Sequence, residues 1–245
     1  MLKLGKHYRK HYTGEKIVTD RNYSDGIWQD TVEHVPNAVT NNQISNRAVV
    51  LGNGPTRLDF DLKHLKIHSG LLGSETLQTY GCNALYRDFT PDFLIVSGHP
   101  EMVKEIANSQ YVLDNIVYTN ALHLLEYPNK FYLIPHDSYT DAGTAAIYLA
   151  AFDGHKKIFM LGFDCQDTPG FNYNIYADTN GYDSKRSLVL EDKWVTDKKA
   201  VFDTYDDVEF IRVTKFGTDR IPEIWKYATN FRQISHRDFV IEASL

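Results

Sequence analysis

Ala48-Val49-Val50-Leu51-Gly52-Asn53-Gly54-Pro55 joins a four-residue apolar run to a glycine turn. The run is too short for a helix and is bounded by glycine, so it predicts a parallel strand buried on both faces. Gly52 and Gly54 carry no Cβ, which lets the backbone of the turn lie directly against another group. Beyond the turn, Leu58, Leu62 and Leu65 stand at helical spacing and predict a helix over Leu58–Leu65. Strand, glycine turn and helix in this order are how a doubly wound sheet offers backbone N–H groups to phosphate. The G-x-G-x-x-G pattern is incomplete, since no third glycine follows. An ordinary tight turn is the competing reading.

From Arg47 onward, apolar runs alternate with helical patterns. Strands are predicted at Leu77–Cys82, Phe93–Ser97, Ile116–Thr119, Phe131–Ile134 and Ile158–Leu161, and helices at Pro100–Ala107, Ala121–Glu126 and Ala142–Phe152. This alternation predicts an α/β, Rossmann-like doubly wound fold over residues 47–245, with a mostly parallel sheet and helices on both faces. A polar, turn-rich stretch at about 164–190 interrupts the pattern, and a loop of that length is often a binding loop. A helix at Glu191–Phe202, a strand at Val208–Val213, a helix near Pro222–Thr229 and a last strand near Phe239–Ile241 are expected after it. Residues 1–46 read as a polar arm with a basic opening (Lys3, Lys6, Arg9, Lys10, Lys16) and little periodicity. Such an arm wraps its domain or orders on a partner. Nucleic acid is one partner to consider, because Lys and Arg neutralise phosphates and tyrosines stack on bases.

The chain has 245 residues, of which 42% are hydrophobic and 24% charged, enough for a full core without covalent staples. A formal net charge of −6 argues against a dedicated nucleic-acid coat. The two cysteines, Cys82 and Cys165, form neither a metal-ligand spacing nor a disulfide framework and read as small buried apolar residues. No run of eighteen apolar residues is present, so no membrane span is expected. The opening Met1–His7 lacks the apolar centre of a signal peptide, so a cytoplasmic location is expected.

Three predicted strands end in comparable polar groups: Gly52-Asn53-Gly54, Gly81-Cys82-Asn83 and Gly162-Phe163-Asp164. In an open α/β sheet the crevice lies outside the carboxyl ends of the strands, so Asn53, Asn83 and Asp164 are expected to converge on one cleft. Asparagine offers a donor and an acceptor together, suited to a base edge or a ribose. Aspartate takes ribose hydroxyls or a metal ion. Each also serves as a turn former or cap. In Asp141-Ala142-Gly143-Thr144, Gly143 and Thr144 fall in the first turn of a helix, where free N–H groups favour an anion. Asp141 is itself an anion and equally suits a plain helix cap. Ser97-Gly98-His99-Pro100 closes another strand, and His99 reads as a general base or as a cap lining the cleft. His136 with Asp137 is the competing acid–base pair. Asn172, Tyr173 and Tyr176 on the long loop face the same cleft or pack as surface aromatics.

Gly52-Asn53-Gly54-Pro55-Thr56 resembles the G-N-G-P-S opening of the bacterial CMP-sialic-acid-dependent sialyltransferases. It is also similar to the related motility-accessory-factor glycosyltransferases and archaeal 6-hydroxymethylpterin diphosphokinases. Cys82-Asn83 matches the C-N after their second strand, and Gly143–Gly154 with Ile158–Asp164 resembles a later block of theirs. Tyr80–Asp92 looks closer still to small tailed-phage proteins with the same core. The resemblance covers roughly Ala48 to Asp164, about half of the chain. It implies that Gly52, Asn53, Gly54 and Pro55 meet the phosphates and ribose, and that Asn83 and Ser97 border the donor. It further implies that Gly143 and Thr144 hold phosphate or pyrimidine, that Gly162, Phe163 and Asp164 frame the nucleoside, and that Tyr173 or Tyr176 stabilises the departing phosphate. Thr56 stands where serine is usual and Ser97 where many members carry aspartate. The first histidine after Asp164 is His236, so the sialyltransferases' base position has no assigned counterpart.

The resulting expectation is a phage-encoded transferase using a nucleotide-sugar donor such as a CMP-sugar, with His99 or His136 as base and no metal ligands assigned. The acceptor is left open among a glycan, modified DNA and a small molecule, and so is the oligomeric state. One alternative is a diphosphokinase-like transferase, which requires Mg²⁺ and further acidic ligands such as Asp167 beside Asp164. Another is a non-catalytic nucleotide-binding or virion-associated module.

Overall fold

The computed structural model describes residues 2–10, 15–36, 46–68, 77–134, 141–164, 174–182 and 191–245. Strands β4 (Arg47–Leu51), β5 (Gln78–Cys82), β6 (Phe93–Ile95), β7 (Ile116–Thr119), β8 (Tyr132–Leu133), β9 (Lys157–Leu161), β10 (Glu209–Thr214) and β11 (Phe231–Ser235) form one sheet. Its order is β11-β10-β9-β4-β5-β6-β7-β8, and every neighbouring pair is parallel. The chain steps outward from β4 to β8, returns to lay β9 on the other side of β4, and steps outward again to β11. The direction reverses between β4 and β9, which is where doubly wound sheets open their binding crevice.

Side-chain alternation explains the layers. Val49 and Leu51 of β4 join Leu94, Phe159, Leu161 and Ile211 in one core, which is covered by α2 (Pro100–Ala107) and α7 (His236–Ala243). Ala48 and Val50 join Tyr80, Ile158, Met160 and Phe210 in the other, which is covered by α5 (Ala142–Phe152) and α6 (Glu191–Thr204). All eleven residues of α5 are buried. Its run of alanines and Gly143 fits a helix enclosed on every side. The short helices α1 (Lys63–His68), α3 (Tyr111–Asp114) and α4 (Ala121–Glu126) complete the connections. No helix among the described residues is long and apolar enough to cross a membrane.

Four local expectations change. The helix expected over Leu58–Leu65 is a 3₁₀ turn at Pro55–Arg57 followed by a bend, and α1 begins only at Lys63. The Arg57 side chain turns inward, leaving Leu58 exposed. The Phe239–Ile241 segment is helical, because Ser235 caps α7 by accepting the Asp238 N–H at 3.1 Å and Phe239 and Ala243 bury one turn apart. The last strand instead lies at Phe231–Ser235. Pro222–Thr229 is reduced to a 3₁₀ helix at Glu223–Tyr227. The fourth change is at the amino end, where β1 (Leu2–Lys10), β2 (Glu15–Ser24) and β3 (Ile27–Pro36) pair antiparallel as a three-stranded meander. Asp25 and Gly26, both at positive φ, form a two-residue hairpin turn between Ser24 and Ile27.

Candidate functional site

The ends of β4 and β9 interlock. Gly52 N–H donates to the Leu161 carbonyl at 2.8 Å and Gly54 N–H to the Gly162 carbonyl at 2.9 Å. Thr56 N–H donates to Asp164 Oδ2 at 3.3 Å. A Cβ on Gly52 would fall 2.4 Å from the Gly162 oxygen, and one on Gly54 would fall 1.7 Å from Asp164 Oδ2. Gly162 itself sits at φ 78°, with Gly52 O 2.7 Å from the place of its missing Cβ. The close approach for which the glycines were singled out is therefore made to protein. The two glycine N–H groups expected to meet phosphate are engaged by the Leu161 and Gly162 carbonyls at the end of β9, and the Asp164 carboxylate occupies the cradle they form. Pro55 opens the 3₁₀ turn behind it. Burial raises the Asp164 carboxyl from its ordinary value; the Thr56 hydrogen bonds and the Arg212 charge oppose the shift, and Asp219 adds to it.

On the β5–β6 side the polar strand ends do meet. Asn83 takes the left-handed conformation (φ 48°) that asparagine tolerates, and its Oδ1 accepts the Ser97 N–H at 3.1 Å. Asn53 Nδ2 donates to the Cys82 carbonyl and to the Tyr182 hydroxyl, both at 3.3 Å. Asn83 also bonds Tyr182, whose hydroxyl is pushed up to about 12 by burial. Asn53 Oδ1 and Ser97 Oγ are buried without a hydrogen-bond partner. The hollow shared by Asn53 and Asn83 thus holds Tyr182, a residue the sequence did not mark. Its only advance signal was a tyrosine directly after the Asn180-Gly181 turn.

Residues 174–182, called the strap below, lie across the carboxyl ends of β4, β5 and β6, and Tyr182 belongs to them. Ile175 N–H donates to the Asn53 carbonyl at 2.9 Å. Tyr176 is buried; its hydroxyl accepts from Arg57 Nη2 at 2.6 Å and donates to Asp88. Burial raises its pKa. That ties Tyr176 into the strap's foundation. Arg87 and Asn180 both bond Glu105 at the other end. His99 stands at the N-cap of α2, with its ring 4.7 Å from that of Tyr182. Its Nδ1 lies 3.1 Å from the Gly181 carbonyl, which can only accept, so Nδ1 carries the proton and Nε2 is the basic nitrogen. A groove of about 590 Å³ opens here, with His99, Glu101, Asp178 and Gly181 among the residues that line it.

The first turn of α5 borders the same edge. Asp141 caps it, with Oδ1 accepting the Thr144 N–H at 2.8 Å. Lys198 from α6 bonds Thr144 Oγ1 at 2.9 Å and pairs with Asp141 at 3.3 Å. Its ammonium lies 5.9 Å from the centre of the Phe163 ring. Phe163 in turn packs on Gly143, where a Cβ would come within 3.1 Å of the ring. Of the two readings of Asp141-Ala142-Gly143-Thr144, the cap is the one formed. Cys82 lies within the field of Asp141 and Lys198, donates to the Leu51 carbonyl, and has its thiol pushed up to about 12 by burial.

A second polar cluster flanks β9–β11. His236, at the start of α7, packs edge-on to Phe60, and its Nε2 is buried without a partner. Burial lowers its pKa; Asp59, the Thr56 backbone and Asp219 act upward, Lys215 downward. The sequence located this histidine but gave it no site, because the path joining it to Thr56 runs through α7.

His136 and Tyr173 lie outside the described residues, as do Asp137, Cys165, Asp167 and Asn172. Among the described residues no group of three or more His, Cys, Asp or Glu side chains is arranged to hold a metal ion. No protein-family model, curated protein or solved structure matches this chain.

Proposed function

We propose that this protein transfers a sugar from a nucleotide-sugar donor, with the nucleotide seated at the carboxyl ends of β4 and β5 beside the first turn of α5. The observation that carries this reading is the convergence of Asn53, Asn83 and Ser97 at the carboxyl ends of β4, β5 and β6, one strand away from the place where the strand order reverses. Lys198, bonded to Thr144 at the first turn of α5, is near enough for its charge to act on Cys82, the residue before Asn83. The amides suit a base edge or ribose, and an ammonium at a helix N-terminus favours a phosphate. The glycine turn shapes this seat without touching the ligand. Tyr182 holds the nucleoside's place in the free protein and trades its bond to Asn53 for the ligand.

Isothermal titration with CMP, UDP and ATP tests the reading. CMP is expected to bind, and Asn53→Ala to weaken it about tenfold, the effect of losing one or two buried hydrogen bonds. No binding of any of the three at millimolar concentration overturns it. Repeating the ATP titration with and without Mg²⁺ separates a diphosphokinase-like reaction, for which Asp164 is the acidic ligand at hand. A non-catalytic nucleotide-binding module is favoured by one observation, the closure of the glycine turn by β9. Nucleotide binding without donor turnover, across a range of acceptors, would select it.

A further inference from the structure

Arg57 is 2% exposed and always charged, yet its guanidinium is only half satisfied. Its Nη2 donates to the Tyr176 hydroxyl at 2.6 Å, while its buried Nη1 has no hydrogen-bond partner among the described residues. Its ion-pair partner there is Asp88, 3.5 Å from Nη2 and half exposed, which accepts the Tyr176 O–H at 2.5 Å. A second guanidinium converges on the same ring: the Tyr176 centroid is 5.4 Å from Arg57 Cζ and 5.9 Å from Arg87 Cζ. A neutral phenol is a poor occupant of such a place, because the two nitrogens of a guanidinium fork match a phosphate. Asn53 Oδ1, on the side chain that holds Tyr182, is also buried without a partner among the described residues. Unmet buried groups destabilise the arrangement that buries them, while the buried rings of Tyr176 and Tyr182 favour it. The strap therefore rests closed over groups that gain water or a ligand when it lifts.

We infer that Tyr176 is an intramolecular plug: it occupies an anion seat at Arg57, flanked by Arg87, and keeps the strap shut until a phosphate-bearing ligand takes its place. The inference rests on the nucleotide reading above and adds its regulation. In the open form the phosphate accepts from both Nη atoms of Arg57, and Asp88, already half in water, turns outward. The strap is also bonded to Asn53, through Ile175 N–H and the Tyr182 hydroxyl, so the movement that frees Arg57 uncovers Asn53 as well. Arg87 holds the far end through Thr179 and the Asn180 carbonyl, an attachment that does not involve the Tyr176 hydroxyl. A ligand that needs the open form binds more weakly by the fraction of chains that are open. Removing the Tyr176 hydroxyl therefore strengthens binding. A tyrosine that itself stabilised the departing phosphate would give the opposite sign.

The test is calorimetric titration of the full chain with pyrophosphate and with CMP, joined to amide hydrogen exchange over the strap. Tyr176→Phe is expected to bind both ligands about tenfold more tightly, the effect of one charge-assisted hydrogen bond lost from the closed form. Its strap amides should exchange faster than those of wild type when no ligand is present. Adding Arg57→Gln should abolish the gain for pyrophosphate, with circular dichroism unchanged. Asp88→Asn, at a half-exposed side chain, repeats the test without touching the buried ring and should also tighten pyrophosphate binding. Equal or weaker binding by Tyr176→Phe overturns the inference, and so does a gain that survives Arg57→Gln. If that happens while CMP binds wild type, the donor reading stands alone. If pyrophosphate follows the expected pattern and CMP does not bind, the donor reading falls and the seat remains. No binding of either anion by wild type or by Tyr176→Phe overturns both.

Discussion

Gly54 is the position where one methyl group does the most. Its Cβ would coincide with the Asp164 carboxylate and press on the Gly162 carbonyl, so Gly54→Ala forces the ends of β4 and β9 apart. Overpacking of this kind costs about 1–3 kcal/mol, read as a lower urea midpoint at unchanged slope. The same substitution in an Asp164→Ala background should cost less, because half of the clash has been removed. The need for glycine here was legible in the sequence, but what fills the space was not. The filling group comes from Asp164, more than a hundred residues downstream, and no local pattern announces such a partner. Asn53 and Asn83 were legible for the opposite reason: each closes its own strand. His236 offers a second test. Burial lowers its pKa from 6.5, so the unfolded chain binds this proton more readily than the folded one. Its contribution is therefore intact above the ordinary histidine value and is lost as pH falls through that value towards the folded one. Wild type should lose stability faster than His236→Gln between pH 7.5 and 5, measured by urea denaturation at each pH. Parallel curves would remove His236 from the account.

At the level of elements, α5 and α6 are joined by one nearly buried ion pair. Beneath the surface, the Lys198 ammonium is bracketed by Asp141 and Thr144. Asp141→Asn preserves the cap acceptor and removes the countercharge, which should cost about 3 kcal/mol. Adding Lys198→Met should recover most of it, since removing both charges also removes the desolvation penalty. Thermal or urea denaturation of the three chains checks the pattern. The helix itself was plain in the sequence, with Asp141 at its cap and an unbroken apolar run behind it. The terminal elements were not. Phe239-Val240-Ile241 is β-prone, yet the Ser235–Asp238 cap and the burial of Phe239 and Ala243 on one face make it helix α7. Along β1–β3 the alternation is diluted by polar residues, and the usable signal was the single Asp25-Gly26 pair. The sequence marked the loop at 164–190 as a binding loop but not how it is held, because aromatic residues in a polar loop look the same whether they fold back or face solvent. The partners that show which occurred, Arg57, Asp88 and Glu105 among them, lie far from the strap in sequence.

Over the whole molecule, the alternation of strand and helix was enough to specify an α/β architecture, because both faces of the central strands β4 and β9 are apolar and must be covered. Strand order was not readable, since any of the buried runs pairs equally well with any other on composition alone. That order has a kinetic corollary. The half of the sheet from β4 to β8 is assembled from successive neighbours, whereas the opposite margin of β4 waits for β9, about a hundred residues later in synthesis. At roughly 5–20 residues per second on the ribosome, that margin stays unzipped for about 5–20 seconds. A nascent chain in that interval displays a bare row of amides and carbonyls flanked by valine and leucine, the kind of template on which two copies cling together. The second half of the chain therefore acts as the belated seal of the first, and crowding on a shared messenger is where this fold is most exposed to error.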